Sequence, residues 1–125
     1  MGRWTILVTE DESGIRGPVR RVLAAQGFAV LEAAGGPQAL ELATGHAGPI
    51  DLLLTDVVMP DMGGGELAHR MRALRPGIRI LFMSGNSPES MATQGVLPPG
   101  ATLLQKPFTI EELVRRVREV LESEV

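Results

Sequence analysis

The sequence contains no cysteine, which excludes disulfide bonds, thiolate metal sites and cysteine nucleophiles. Aromatic residues make up only 3% of the chain and tyrosine is absent, so stacking platforms for single-stranded nucleic acid are not expected. The net charge of -3 argues against a grip on nucleic-acid phosphates. No apolar run reaches the length of a membrane span, and acidic residues follow the N-terminus too closely for a secretory signal. These absences predict a cytoplasmic protein that binds neither nucleic acid nor membranes.

Lysine is also nearly absent. Eleven of the twelve basic residues are arginine, and Lys106 is the only lysine in the chain. Lysine and arginine are not interchangeable, because lysine carries a compact ammonium group on a flexible stem. A single lysine in a chain that otherwise uses arginine therefore indicates a functional residue, with a plain surface charge as the alternative.

Short aliphatic and β-branched runs alternate with amphipathic stretches along the chain. The 125 residues suit one domain, and we expect a single domain over residues 1–125. Five strands are predicted, within residues 4–9, 28–33, 50–56, 78–84 and 101–105. Regular alternation of strand and helix predicts an α/β fold with a doubly wound five-stranded parallel sheet. The expected architecture is flavodoxin-like (βα)5, with strand order 2-1-3-4-5.

The predicted helices are less regular than the strands. The first helix ends near Gln26, and glycines before Pro18 indicate a late start, with Pro18 in the first turn. Glycine and proline leave room for only a turn or two of a fourth helix, near Glu89–Gln94. Thr109 and Glu112 predict a capping box at the start of the last helix.

Acidic, hydroxyl and amine side chains follow four of the predicted strands. They are Glu10 and Asp11 after the first strand, Asp56 after the third, Ser84 after the fourth and Lys106 after the fifth. In the order 2-1-3-4-5 these strands are neighbours, so their carboxyl ends form one cluster. The carboxylates repel one another, and a hard divalent cation such as Mg²⁺ could neutralise them. A phosphoryl group could then bind between the cation, Lys106 and Ser84, with the Asp56 carboxylate as nucleophile.

Four segments together resemble a known family. In chain order they are ILVTEDE, LLLTDVVMPDMGG, ILFMSG and LLQKPF, and they are similar to the receiver domain of two-component response regulators, also found in hybrid histidine kinases. The resemblance covers essentially the whole chain. It implies a phosphoacceptor module of a phosphorelay, which takes a phosphoryl group from the phosphohistidine of a histidine kinase or phosphotransfer protein. Phosphorylation would switch a surface formed by the fourth helix, the fifth strand and the last helix, which binds a downstream protein target.

The resemblance also implies roles for the metal ligands and the phosphoacceptor. Asp56 would accept the phosphoryl group. The side chains of Asp11 and Asp56 would ligate Mg²⁺, Glu10 would act largely through water, and Val58 would contribute its backbone carbonyl. Such a module assists its own phosphorylation and dephosphorylation and is not a separate metabolic enzyme.

On the phosphoryl side, the resemblance implies that Ser84 bonds a phosphoryl oxygen and that Lys106 pairs with the phosphate. The Lys106–Pro107 bond is typically cis in this family. Two positions depart from the family pattern. Leu103 stands where an aromatic switch residue is usual, and Val58 has no polar group to position an attacking water. We therefore predict a comparatively long-lived phosphorylated form.

Other functions fit these residues less well. A phosphohydrolase with Asp56 as nucleophile would need a second aspartate, as general acid, where Val58 stands. In a flavin-binding module, the acids of the first loop would repel the phosphate of the cofactor. A receiver-like docking adaptor that works without phosphorylation stays open because of Leu103. Gly63–Gly65 is interpreted as a flexible turn and not as a phosphate cradle. The chain is either a single-domain regulator or part of a larger protein such as a hybrid kinase.

Overall fold

The computed structural model describes residues 3–85 and 101–123. The strands are β1 (Thr5–Thr9), β2 (Ala29–Ala33), β3 (Leu52–Asp56), β4 (Arg79–Ser84) and β5 (Leu103–Gln105). The helices are α1 (Ser13–Ala25), α2 (Gly36–Gly45), α3 (Gly64–Leu74) and a C-terminal helix (Ile110–Glu122). The short helix predicted near residues 89–94 lies outside the described residues. Within the described ranges, no helix is both long and apolar enough to cross a bilayer.

The five strands form one parallel sheet in the order β2-β1-β3-β4-β5. This result confirms the predicted doubly wound fold and its strand order. Strands β1 and β3 are buried along their whole length, which explains why aliphatic residues predominate in both. Their carboxyl ends are therefore held firmly by the layers above and below the sheet.

Two apolar clusters lie on opposite faces of the sheet, because successive side chains of a strand point to opposite sides. Leu7 and Leu53 belong to the cluster beneath α2 and α3. Ile6 and Leu54 belong to the cluster beneath α1 and the C-terminal helix. Met71 and Met83, at 0% exposure, fill the core as their sequence context predicts. Each face of the sheet is thus closed by a pair of helices.

Helix α1 begins earlier than predicted. It starts at Ser13, and Pro18 lies inside the helix and not in its first turn. Proline lacks the N–H that would bond the Gly14 carbonyl, but both residues are exposed and water can replace that bond. The first turn also has support from outside the helix, since Nη1 of Arg16 donates to the carbonyl of Glu10 at 2.6 Å.

The C-terminal helix begins with the predicted capping box. The Thr109 hydroxyl accepts from the Glu112 N–H at 3.0 Å, and the Glu112 carboxylate accepts from the Thr109 N–H at 2.9 Å. The bond from the Thr109 N–H to the carboxylate is the main cause of the lowered pKa of Glu112. Leu113, Val117 and Leu121 form the buried face of the helix. The cap thus sets the start of this helix directly after the segment that carries the only lysine.

Arg75 fastens the carboxyl end of α2 to the end of α3. Its Nε and Nη2 donate to the Ala43 carbonyl at 3.2 and 2.8 Å, and Nη2 also donates to the His46 carbonyl at 2.8 Å. Nη1 donates to the Gly48 carbonyl at 2.6 Å. A guanidinium suits this place because the last carbonyls of a helix lack partners and carry partial negative charge. The arginine therefore caps α2 from a neighbouring helix.

Candidate functional site

The carboxyl ends of β1, β3, β4 and β5 meet at one edge of the sheet. Glu10 follows β1, Asp56 ends β3, Ser84 ends β4 and Lys106 follows β5. The backbone N–H of Lys106 donates to the Ser84 carbonyl at 2.7 Å, which continues the β4–β5 pairing into the site. Strand order alone therefore brings together side chains that are as many as 96 residues apart in sequence.

Three carboxylates form the acidic part of the site. One oxygen from each of Glu10, Asp11 and Asp56 lies within 4.8 Å of the others. Glu10 is fully buried and Asp56 is 8% exposed, whereas Asp11 faces solvent. Oxygen ligands that are partly fixed by the core and partly open to water suit Mg²⁺, which keeps several of its waters when it binds. The residues present therefore fit such an ion.

Lys106 lies beside the two buried carboxylates. Its Nζ donates to Oε2 of Glu10 at 2.9 Å and lies 3.5 Å from Oδ2 of Asp56. The Lys106–Pro107 bond is cis, as expected. The other oxygen of Asp56, Oδ1, accepts from the N–H of Val57 at 3.0 Å. One Asp56 oxygen is thus held by the backbone while the other faces the ammonium group.

Burial and charge shift the proton affinities of this group. Burial raises the pKa of Glu10 and that of Asp56, and their mutual repulsion raises that of Glu10 further. The nearby lysine acts against both shifts without cancelling them. Burial opposes the charge of Lys106, but its bond to Glu10 and the charges of both acids outweigh this effect and raise its pKa. The ammonium group therefore compensates only part of the negative charge, which leaves room for a cation.

The two departures from the family pattern have clear places in the structure. Val58 lies two residues after Asp56 and is 64% exposed. Leu103 begins β5, pairs with Phe82 of β4 and packs, partly buried, against the cluster beneath α2 and α3. An apolar side chain thus occupies each position where the resemblance led us to expect a polar or aromatic group.

Arg16 contributes to the site although the sequence did not indicate it. Besides its bond to the Glu10 carbonyl, its Nε lies 3.4 Å from the carboxylate of Glu32 on β2, which also pairs with Arg20 at 3.0 Å. This network ties α1 and β2 to the loop that carries the acids. Its spacing along α1 is ordinary helical spacing, so no pattern in the sequence distinguished it.

The glycine run Gly63–Gly65 differs in the structure from its prediction. The prediction of a flexible turn is wrong for Gly64 and Gly65, which begin α3. Gly64 packs directly on the backbone of Asp56 and Val57, and its N–H donates to the Val57 carbonyl at 2.8 Å. Glycine is required where backbones approach this closely. A run of glycines soon after an aspartate at the end of a strand could have indicated such an approach.

Fold and site together define a class of protein. It is a flavodoxin-like α/β domain with three acidic side chains that could hold a metal ion, and a lysine beside them, at the carboxyl edge of its sheet. Comparison with known proteins narrows the class. Residues 6–118 match the response regulator receiver domain. The chain therefore belongs to the receiver domain family of two-component response regulators.

Individual relatives agree with this assignment. The chain is 38% identical to the sensor kinase CckA of Brucella abortus, over 98% of this chain but only 13% of that protein. It is 34% identical to the response regulator receiver protein CpdR of the same organism, over 93% of this chain and 95% of CpdR. The receiver domain of the hybrid histidine kinase CckA superposes with a TM-score of 0.80 at 38% identity, covering 94% of this chain and 99% of that domain. Chemotaxis protein CheY4 of Vibrio cholerae superposes at 0.81 with 31% identity, over 95% and 99% of the two chains.

Proposed function

We propose that this chain is a Mg²⁺-dependent phosphoacceptor in a two-component phosphorelay, with Asp56 as the acceptor. The observation that supports this most strongly is the buried Asp56 carboxylate between two other acids and the only lysine of the chain. Aspartate and glutamate are seldom buried, yet Asp56 is only 8% exposed and lies next to a fully buried Glu10. The phosphodonor is the phosphohistidine of a histidine kinase or phosphotransfer protein, in line with the kinase and regulator names of its relatives.

In the proposed reaction, a carboxylate oxygen of Asp56 attacks the phosphorus of the phosphohistidine. A phosphorus–oxygen bond forms, the phosphorus–nitrogen bond breaks, and the leaving imidazole takes up a proton. Transfer of this kind depends on positioning and on neutralisation of charge. Lys106 pairs with an oxygen of the transferred group, and the Ser84 hydroxyl bonds another. In doing so, the ammonium group gives up part of its present contact with Glu10.

The metal ligands in this proposal are Asp11 and Asp56, with Glu10 acting largely through water and Val58 through its backbone carbonyl. Bound Mg²⁺ would supply positive charge to the phosphoryl oxygens. Without it, one ammonium group faces three carboxylates, and burial holds the pKa values of Glu10 and Asp56 above their ordinary range. That deficit supports a requirement for a divalent cation.

We further propose that residues 1–125 form one receiver domain that signals by changing a protein-binding surface. The single sheet and its two apolar clusters support one domain. The surface includes β5 and the C-terminal helix and binds a downstream protein target, as phosphorylation biases two pre-existing conformations. The domain is not a metabolic enzyme, and its only chemistry is its own phosphorylation and dephosphorylation.

The first test is the intact mass of the protein after incubation with Mg²⁺ and acetyl phosphate. The expected result is one added phosphoryl group, which requires Mg²⁺ and is lost in Asp56→Asn. Asp61→Asn is the matched control, because Asp61 is an exposed acid in the loop that follows β3, and this variant should still be phosphorylated. An adduct that persists in Asp56→Asn would assign the acceptor elsewhere.

Absence of any adduct in the unaltered protein would have a different meaning. If the protein also fails to bind a beryllofluoride phosphoryl mimic in the presence of Mg²⁺, the phosphoacceptor function is wrong. The docking adaptor that works without phosphorylation would then be the better description of this chain.

A further inference from the structure

Helix α3 comes very close to the backbone of the proposed acceptor. A Cβ atom added to Gly64 would overlap the carbonyl oxygen of Asp56. It would also stand 3.1 Å from Cα of Val57 and 3.2 Å from the carbonyl carbon of Asp56. All three atoms belong to the backbone of one peptide unit, so none can swing aside as a flexible side chain would. Any side chain at this position must displace either the peptide after Asp56 or the start of α3.

The same carbonyl is held from a second direction. The Thr55 hydroxyl donates to the Asp56 carbonyl oxygen at 3.0 Å, and Thr55 is fully buried. Gly64 in turn donates its N–H to the next carbonyl, that of Val57, at 2.8 Å. The oxygen of the peptide between Asp56 and Val57 therefore accepts a hydrogen bond from Thr55 and packs against Gly64, which also bonds the peptide that follows.

The other end of this peptide touches the carboxylate. Its N–H, that of Val57, donates to Oδ1 of Asp56 at 3.0 Å and also to the Met83 carbonyl at 3.0 Å. A rotation of the peptide would move this donor and turn the carboxylate with it. Oδ2, which faces Lys106 at 3.5 Å, would then lose its present direction.

We propose that Gly64 and Thr55 are positioning residues that aim the Asp56 carboxylate through the peptide that follows it. This inference rests on the proposed function of Asp56 as the phosphoacceptor. Neither residue touches the phosphoryl group. Their effect is to hold the nucleophile in line with the incoming phosphorus, and a misplacement of this kind slows a transfer without unfolding the protein.

The test measures the rate of phosphorylation by acetyl phosphate per folded molecule, with the folded fraction taken from circular dichroism. For Gly64→Ala we expect a rate lower by about 10- to 100-fold, the scale of loss for a misplaced reacting group. Gly63→Ala is the neighbouring control, because its Cβ would stand 3.5 Å from the Val57 carbonyl oxygen, an ordinary contact. That variant should keep a rate within about twofold of the unaltered protein.

A second control separates positioning from loss of stability. Gly77 has a φ of +91°, which alanine adopts only with strain, so Gly77→Ala should also lower the melting temperature. Because Gly77 lies just before β4, at the opposite edge of the parallel sheet from Asp56, its folded molecules should react at the normal rate. Equal rates for folded Gly64→Ala and Gly77→Ala would overturn the proposal.

Thr55→Val gives an independent measurement. It tests the proposed positioning of Asp56 even if Gly64→Ala does not fold. It keeps the volume of the side chain but removes the hydroxyl, and we expect phosphorylation to slow by about tenfold. An unchanged rate in this variant would contradict the proposed grip on the carbonyl.

The ¹³C chemical shift of the Asp56 carboxyl, identified by its loss in Asp56→Asn, reports the carboxylate without any phosphodonor. It should move in Gly64→Ala and Thr55→Val but not in Gly63→Ala. If the unaltered protein takes up no phosphoryl group and binds no beryllofluoride, the proposed function fails. In that case the chemical shift still tests whether Gly64 and Thr55 orient the carboxylate. A shift that is unchanged in both variants would refute this positioning role.

Discussion

Replacement of Lys106 by methionine tests how the site balances its charges. Methionine keeps much of the length of the side chain but removes the ammonium group, which lies 2.9 Å from Oε2 of Glu10 and 3.5 Å from Oδ2 of Asp56. Removal of one partner from a fully buried ion pair costs about 3–5 kcal/mol, because the remaining charge is left uncompensated. Lys106 keeps 19% of its side chain exposed. Solvent screening therefore reduces the expected loss in the free energy of unfolding to about 2 kcal/mol at neutral pH.

This loss should depend on pH in a definite direction. Burial already raises the pKa values of Glu10 and Asp56 above their ordinary range, and removal of the lysine raises them further. For an acid with a raised pKa in the folded state, the penalty is complete above the folded pKa. It shrinks as the pH falls through that value and disappears below the pKa of the unfolded chain. The variant should therefore approach the stability of the unaltered protein in mild acid.

Urea unfolding at neutral and mildly acidic pH, with and without Mg²⁺, measures these effects. Mg²⁺ should recover part of the lost stability by replacing the missing positive charge. The exposed Arg21 of α1 provides a control, since Arg21→Met should change stability by less than about 0.5 kcal/mol at either pH. Addition of Glu10→Gln to the lysine variant should reduce the penalty, because one buried charge is then gone. If the penalty is the same at both pH values and with Mg²⁺, charge compensation is not the role of this lysine.

Two further variants test other parts of the structure. Val58→Asn places a polar group two residues after the proposed acceptor, where it can position water. It should shorten the lifetime of the phosphorylated protein, and a decay rate that is unchanged or slower would contradict the predicted long lifetime. Arg75→Ala removes the cap from α2 and leaves the carbonyls of Ala43 and Gly48 without their donor. It should cost about 2 kcal/mol of unfolding free energy, whereas the exposed Arg72→Ala should cost less than about 0.5 kcal/mol, and equal losses would show that the cap is unimportant.

The cluster of site residues was predictable because it depends on two regular features. Alternation of strands and helices predicts a parallel sheet, and the strand order makes the carboxyl ends of four strands adjacent. Glu10, Asp56 and Lys106 then converge whatever the details of packing. The capping box of the C-terminal helix was equally predictable, since Thr109 and Glu112 interact within one turn of chain.

Features that depend on one close approach were not predictable. Whether Gly64 begins a helix or lies in a turn depends on how near α3 comes to Asp56, and a run of glycines is compatible with both. The early start of α1 has the same origin. Local propensity at Pro18 argues against a longer helix, but bonds from Arg16 to the Glu10 carbonyl and to Glu32 outweigh it. Tertiary contacts of this kind override propensity.

Because Lys106 is the only lysine, the site can be labelled selectively for nuclear magnetic resonance. Reductive methylation with ¹³C-formaldehyde would label only Lys106 and the terminal α-amine, and the two signals differ in their dependence on pH. The methyl groups would keep the positive charge of the side chain. The labelled side-chain group would lie next to Glu10 and Asp56. Its single resonance could then report cation binding, arrival of the phosphoryl group and loss of that group in real time.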